Sequence, residues 1–437
     1  MSLARTREFG ANGLRFRTSG IADYGDRLVA VSSEHTEETM SEALSCPDVL
    51  YPGVLRHTVT REMVNDFLLW AVSVRASDIV FRADDPPWIQ VDGRWFAVSD
   101  HFTLSFGETQ LLTNLFSGQE HKAGNVQRGM SADFAYSVRV SECRGLMQRF
   151  RVNVTASNAG HYIVLRALPT ALPSLSDCGL PDDLVRHCYP HNGLVLISGV
   201  MGSGKSTLLA ALLHAAIVKR SCGGLGIGRH ILTLEHPIEF DLTRIPHASR
   251  SAPITQSEVE AHVSSWPLGV RSMTRRKGEI VMVGEARDQE TLRAMLTIAE
   301  QGVTCYATVH AQDVPQTITR IVNTFPLEER APIAAALKAN LRLILHQRLV
   351  PGKSTGRVAL REYLVFDEAL RMQLYATPYE ALIPTVRAKV EERGRTLIAD
   401  CTEKYAAGLL RDETYASLVQ EQRACAGLDC VSNKHDM

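Results

Sequence analysis

An α/β protein is what this sequence predicts: a parallel-sheet core, an α+β domain ahead of it and a mainly helical region behind it. Three observations carry the prediction. Between about Leu184 and Phe325, short apolar stretches alternate with helical ones, which is the βα rhythm of a parallel sheet. Within that stretch, Gly193-Leu-Val-Leu-Ile-Ser198 runs into Gly199-Val-Met-Gly-Ser-Gly204-Lys205-Ser206-Thr207, and Leu208 to Ala216 follows as an Ala/Leu-rich helix. Upstream, from Ser77 to Leu168, the apolar residues recur at a period of two, as in half-buried strands.

Composition sets the bounds. A chain of 437 residues, 45% hydrophobic and 22% charged, is long enough for two or three domains with large cores. The formal net charge of -1 gives no global field that would make nucleic acid a direct partner. The 9 cysteines are scattered and form no C-x-x-C pair, so neither a disulfide framework nor a zinc site is indicated. No apolar run is long enough to cross a bilayer and the N-terminus lacks a signal-peptide core, so the expected location is the cytoplasm.

Taken in order, residues 1–55 show no sustained period and are expected to form a partly disordered extension. Residues 56–168 form the first domain. Met63, Phe67, Leu68, Ala71 and Val74 lie on one face of a helix. Ser77–Phe81, Trp88–Val91 and Arg94–Val98 read as strands, the last two joined at Asp92-Gly93. A helix over Gly107–Leu115 separates them from strands at Phe134–Val140, Gln148–Val154 and Tyr162–Leu168. The prolines at 169, 173 and 181 stiffen a linker over 169–183. The core, 184–328, has strand candidates at Leu194–Ser198, His230–Leu234, Glu279–Val283 and Thr304–Thr308. Residues 329–437 are expected to be mainly helical, with a helix over Pro332–Leu341, a strand over Val358–Phe366 and helices from Tyr379, Thr396 and Asp412.

The glycine loop fits G-x-x-x-x-G-K-[ST], the P-loop. Gly199, Gly202, Ser203 and Gly204 let backbone N–H groups curl around phosphate, and Lys205 reaches the β- and γ-phosphates. The Ser206 hydroxyl is placed to ligate Mg²⁺, and Thr207 continues the helix start. Two strands then end in acids at the same sheet edge: Thr233-Leu234-Glu235-His236-Pro237-Ile238-Glu239, and Ile280 to Val283 followed by Gly284-Glu285-Ala286-Arg287-Asp288. Either carboxylate could align the attacking water, and Glu285 could also hold Mg²⁺ through water. Thr304-Cys-Tyr-Ala-Thr308-Val309-His310 brings a histidine to that edge, and Arg271, Arg275 and Arg276 precede the third core strand.

With these motifs in this order, the sequence resembles the secretion ATPase superfamily of pilus motors and type II/IV secretion systems, over roughly residues 60 to 410. Ala76-Ser77-Asp78-Ile79 and Val91-Asp92-Gly93 are similar to the family's PAS-like N-terminal domain. Arg149-Phe-Arg151-Val-Asn153 is similar to a strand of the same domain, and Gln347-Arg348-Leu349-Val350 to a segment after the core. Thr255-Gln256-Ser257-Glu258-Val259 most resembles the DotB/TraJ branch, the ATPases of type IVB secretion and IncI-type conjugation.

The resemblance implies a RecA-like core, ATP and Mg²⁺ as ligands, and a homo-hexamer. It also implies peripheral attachment to an inner-membrane secretion or conjugation complex. It makes Glu235 the catalytic carboxylate of the Asp box, Glu285 the Walker B acid and His310 the His-box histidine. Arg149, Arg151 and Arg166 are its candidates for contact with the γ-phosphate on domain closure. Four departures stand out. His236 replaces the acid of Glu-Asp-Pro and Val303 replaces a histidine, changes that could slow hydrolysis without abolishing it. The C-x-x-C pairs of extension motors are absent. Phe366 to Arg371 does not match the retraction-motor signature, which favours secretion or conjugation. A retraction motor, a nucleotide-switched scaffold with little turnover and a DNA pump are the competing readings.

Overall fold

The structure is a computed structural model that describes residues 50–53, 55, 57–99, 102–140, 146–218, 228–354 and 356–432. Most of the expected N-terminal extension therefore lies outside the described residues.

The first domain is an antiparallel sheet with helices packed on one face. Helix α1 (Arg61–Ser73) starts at Thr60, whose hydroxyl accepts from the Met63 N–H, and buries Val64, Phe67, Leu68 and Ala71. Strands β1 (Asp78–Phe81), β2 (Trp88–Val91) and β3 (Arg94–Ala97) follow, then α2 (Phe106–Ser117) and α3 (Lys122–Gln127). Strands β4 (Ala132–Arg139), β5 (Met147–Ser157) and β6 (Gly160–Ala167) complete the sheet in the order β3-β2-β1-β6-β5-β4. Along β5, Phe150, Val152 and Val154 are buried, so Arg149, Arg151 and Asn153 point to the opposite face. The period of two thus sends these arginines out of the domain's own core.

After the linker come α4 (Asp182–His187), β7 (Gly193–Ser198), α5 (Lys205–Ile217), β8 (Ile231–Glu235), β9 (Ile254–Glu258) and α6 (Trp266–Arg275). Then follow β10 (Ile280–Val283), α7 (Gln289–Glu300), β11 (Thr304–Val309), α8 (Val314–Asn323) and α9 (Leu327–Asn340). The chain closes with β12 (Leu341–Pro351), β13 (Arg357–Val365), α10 (Glu368–Ala376), α11 (Tyr379–Arg393), α12 (Leu397–Ala406) and α13 (Asp412–Ser432). The second sheet has the order β13-β12-β7-β11-β10-β8-β9. All neighbours are parallel except the β12–β13 pair. Its central strands are buried on both faces, as parallel strands covered by helices must be.

The α/β class and the four core strands appear as predicted, and two further strands do not follow from the text. β9 is mostly polar (Ile-Thr-Gln-Ser-Glu) and is a strand because it pairs with β8 from Ile231↔Ile254 to Glu235↔Glu258. The expected helix to Leu341 ends at Asn340, and β12 starts at the next residue. Together with β13, near the expected strand over Val358–Phe366, it extends the core sheet beyond residue 328. Among the described residues, cysteines 178, 188, 305 and 401 form no disulfide, and no helix is long and apolar enough to cross a membrane.

Candidate active site

The glycine loop between β7 and α5 is shaped by glycines that no other residue could replace without strain or collision. Gly204 caps α5 in the left-handed region (φ 81°), and Gly199 sits at φ 152°. A Cβ on Gly199 would collide with the Gln347 carbonyl and the Ser203 hydroxyl, and one on Gly204 would lie 2.9 Å from Gln347 Nε2. The N–H groups of the first turn of α5 have no partners within the helix, so the helix presents positive potential to the loop. Lys205 is buried and its Nζ donates to the Gly199 and Val200 carbonyls, each at 2.8 Å. Burial holds its pKa below that of a free lysine, against the pull of Glu285 and Glu239. Among the described residues, the buried Ser203 Oγ has no hydrogen-bond partner. A glycine cradle with a free buried hydroxyl and a helix N-terminus fits a phosphate chain.

The acids stand on neighbouring strands. Val283 of β10 is level with Leu234 of β8, and the Gly284 N–H donates to the Leu234 carbonyl at 2.7 Å, so Glu235 and Glu285 leave the same edge. Burial pushes Glu235 up to about 7, with Glu239 adding to the rise. Hydrogen bonds from Thr233 and Gln256 and the charge of Arg149 oppose it. Both bonds reach the same oxygen: Thr233 Oγ1 donates to Oε1 at 2.6 Å and Gln256 Nε2 at 3.0 Å. Glu285 Oε1 pairs with Arg287 and lies 3.3 Å from His310 Nε2. His310 is held below its ordinary pKa by burial and by Lys205, with Glu285 opposing. A cavity of about 650 Å³ opens beside Glu285 and His310 and is bounded by Arg287 and Arg320.

The candidate arginines separate. Arg149 crosses from the first domain to the core, where it donates to the Ile238 carbonyl and lies 3.6 Å from Glu258. Arg151 lies 3.7 Å from Asp133, and Arg166 Nε donates to Asp78 at 2.8 Å, so both pair inside their own sheet. Arg151 and Arg166 are register partners on the polar face. That face looks toward the core: Asp133 is one of the carboxylates that raise the pKa of Arg287. Arg271 is exposed and 3.9 Å from Glu290, while Arg276 donates to Ser257 at 3.4 Å. At the departures from the family pattern, His236 Nδ1 lies 3.3 Å from the Val259 carbonyl and Val303 packs on the core cluster.

Sequence reasoning singled out the loop, Glu235, Glu285 and His310, but not the side chains that hold them. Gln256 bridges Glu235 and the Phe240 carbonyl, and Arg287 pairs with Glu285. Gln347 supports the loop from β12 by donating to the Ser203 carbonyl at 2.7 Å. Gln256 and Gln347 both fall in segments that carry the family resemblance. Their roles depend on strand neighbours that are distant in the chain, which motif spacing does not reveal.

Comparison with known proteins gives a consistent picture. The profile of the family described as type II/IV secretion system protein matches residues 137–423. The type IV pilus retraction ATPase PilT of Pseudomonas aeruginosa is 31% identical over 312 residues, which is 70% of this chain and 84% of that protein. The crystal structure of the Legionella pneumophila ATPase DotB is similar with a TM-score of 0.70 and 34% identity, covering 85% of this chain and 99% of that one. A crystal structure of the pilus retraction motor PilT with bound ADP is similar with a TM-score of 0.68 and 29% identity, covering 80% and 95%.

Proposed function

Because the chain belongs to the type II/IV secretion system protein family, whose similar members are ATPases, we propose that it hydrolyses ATP to power a type IVB-like secretion or conjugative transfer apparatus. In this reading it works as a homo-hexamer held peripherally at the inner membrane by the transfer complex. The observation that carries the ATPase part is the convergence of Lys205, Glu235, Glu285 and His310 at one sheet edge above the glycine cradle. The likeness to DotB, at 34% identity over 99% of that chain, supports the transfer system.

The mechanism rests on positioning and charge. Gly199, Gly202, Ser203, Gly204 and Thr207 contribute the backbone cradle for the phosphates. Lys205 leaves the Gly199 and Val200 carbonyls to meet the β- and γ-phosphates, exchanging neutral acceptors for charged ones. Ser206 and Glu285 are hard oxygen donors of the kind that hold Mg²⁺, which neutralises phosphate charge when bound. Glu235, with a pKa of about 7, is poised as the general base. Thr233 and Gln256 occupy Oε1, and no described residue donates to Oε2, which is the oxygen left to accept a water proton. His310 orients Glu285, and Arg149, Arg151 and Arg166 complete the charge around the γ-phosphate on domain closure.

A retraction motor is the second reading, favoured by 31% identity over 84% of PilT. The test is genetic: Glu235→Gln in place of the native gene, with conjugative or secretory transfer and surface twitching scored side by side. Loss of transfer with twitching intact supports the proposal, and the reverse supports retraction. Transfer and twitching both at native levels would refute the motor role.

A further inference from the structure

The segment Gln347-Arg348-Leu349-Val350 has no place in the chemistry above, yet its first residue touches the phosphate-binding loop. A P-loop can aim its N–H groups inward at phosphate only if its carbonyls turn outward and find other partners. The Ser203 carbonyl is turned toward β12, where the buried Gln347 amide donates to it at 2.7 Å. The orientation of that amide is dictated from behind. Arg361 of β13, itself 3% exposed, donates through Nε to Gln347 Oε1 at 3.0 Å. A guanidinium has no acceptor, so the oxygen of Gln347 must face Arg361 and its NH₂ must face the loop.

The same guanidinium reaches the linker. Its NH1 donates to the Gly179 carbonyl at 2.9 Å and its NH2 to the Cys178 carbonyl. Behind it, the Arg361 N–H donates to Asp400 Oδ2 at 2.8 Å, and Lys404 donates to the same oxygen at 2.6 Å. Burial lowers the pKa of Arg361 and Asp400 counters it, so helix α12 stabilises a buried cation whose other contacts are neutral oxygens.

We infer that Gln347 is a positioning residue for nucleotide binding, holding the phosphate-binding loop in its receptive shape, and that Arg361 ties that loop to the inter-domain linker. The inference rests on the reading of the loop as a nucleotide site. Linker and loop share one side chain, so movement of the first domain acts on the cradle through Arg361 as well as through groups that touch the phosphates.

The experiment measures ADP binding by calorimetry in the presence of Mg²⁺, the kinetics of ATP hydrolysis, the thermal midpoint and hydrogen exchange in residues 172–181. It uses the full chain, with Gln347→Met, Gln347→Glu and Arg361→Lys. Gln347→Met keeps volume and loses the amide, whereas Gln347→Glu keeps an acceptor for Arg361 and loses the donor. Both are expected to raise the Kd for ADP and the KM for ATP about tenfold, with kcat within about twofold and linker exchange unchanged. Arg361→Lys cannot serve Gln347 and two carbonyls at once, so it weakens ADP binding and also speeds linker exchange. A general loss of packing would move linker and nucleotide binding together in every variant, and that pattern overturns the inference. Native ADP affinity in folded Gln347 variants overturns it too, as does failure of both to fold, which would make Gln347 a packing residue. Lys205→Ala is the separate control: if the native chain does not bind ADP, or if this variant binds it equally well, the reading of the site itself fails.

Discussion

Replacing Glu235 by glutamine should make the protein more stable at alkaline pH while removing its activity. The side chain is buried, and its pKa rises from 4.5 to about 7. At 1.36 kcal/mol for each unit of pKa, ionising it in the fold rather than in the unfolded chain costs about 3 kcal/mol. The sign follows from linkage. A group with a raised folded pKa contributes fully below its unfolded value, here 4.5, and the contribution is lost as pH rises through about 7. Glutamine carries no proton to lose, and its amide oxygen can accept from Thr233 and Gln256 as the carboxylate does. The stability advantage of Glu235→Gln should therefore grow between about pH 5 and pH 8.5 by about 2 to 3 kcal/mol, a change of about 3 °C in the difference between midpoints. Thermal scans of both proteins at one scan rate across that range make the measurement. A difference that stays flat with pH would refute the reasoning, because it would mean that Glu235 is not held protonated by burial.

Two further outcomes follow from the same geometry. Lys205→Ala should abolish nucleotide binding or turnover, checked by ADP calorimetry and phosphate release, and native-like hydrolysis would displace the site from the loop. Arg149→Ala removes a charge that lowers the Glu235 pKa, so the acidic limb of the pH profile of kcat/KM should move to higher pH and the rate at pH 7 should fall more than at pH 9.

The readable parts of this chain are those whose physics is local. The period of two along β5 fixed which face Arg149 and Arg151 occupy, and the apolar run into Gly199 fixed where α5 begins. The acids Glu235 and Glu285 were legible because one ends an apolar strand and the other follows one after a single glycine. What stayed hidden is set by pairing across the sheet. β9 is polar and becomes a strand only through β8, and β12 follows α9 without a break, so no turn residue marks its start. Gln256 and Gln347 acquire roles only when β9 and β12 are placed beside β8 and β7. The different surroundings of Arg149, Arg151 and Arg166 were likewise invisible, since alternation puts Arg149 and Arg151 on one face of β5 but gives neither their partners nor the place of Arg166 on β6.

The most direct test of the central claim is steady-state ATP hydrolysis with Mg²⁺ by the purified protein, run beside Glu235→Gln with size measured by light scattering in the same buffer. Turnover by a hexamer, lost in a variant that still binds ATP, is the predicted result. Tight ATP binding with no turnover in the native protein would contradict it and make the chain a nucleotide-controlled switch.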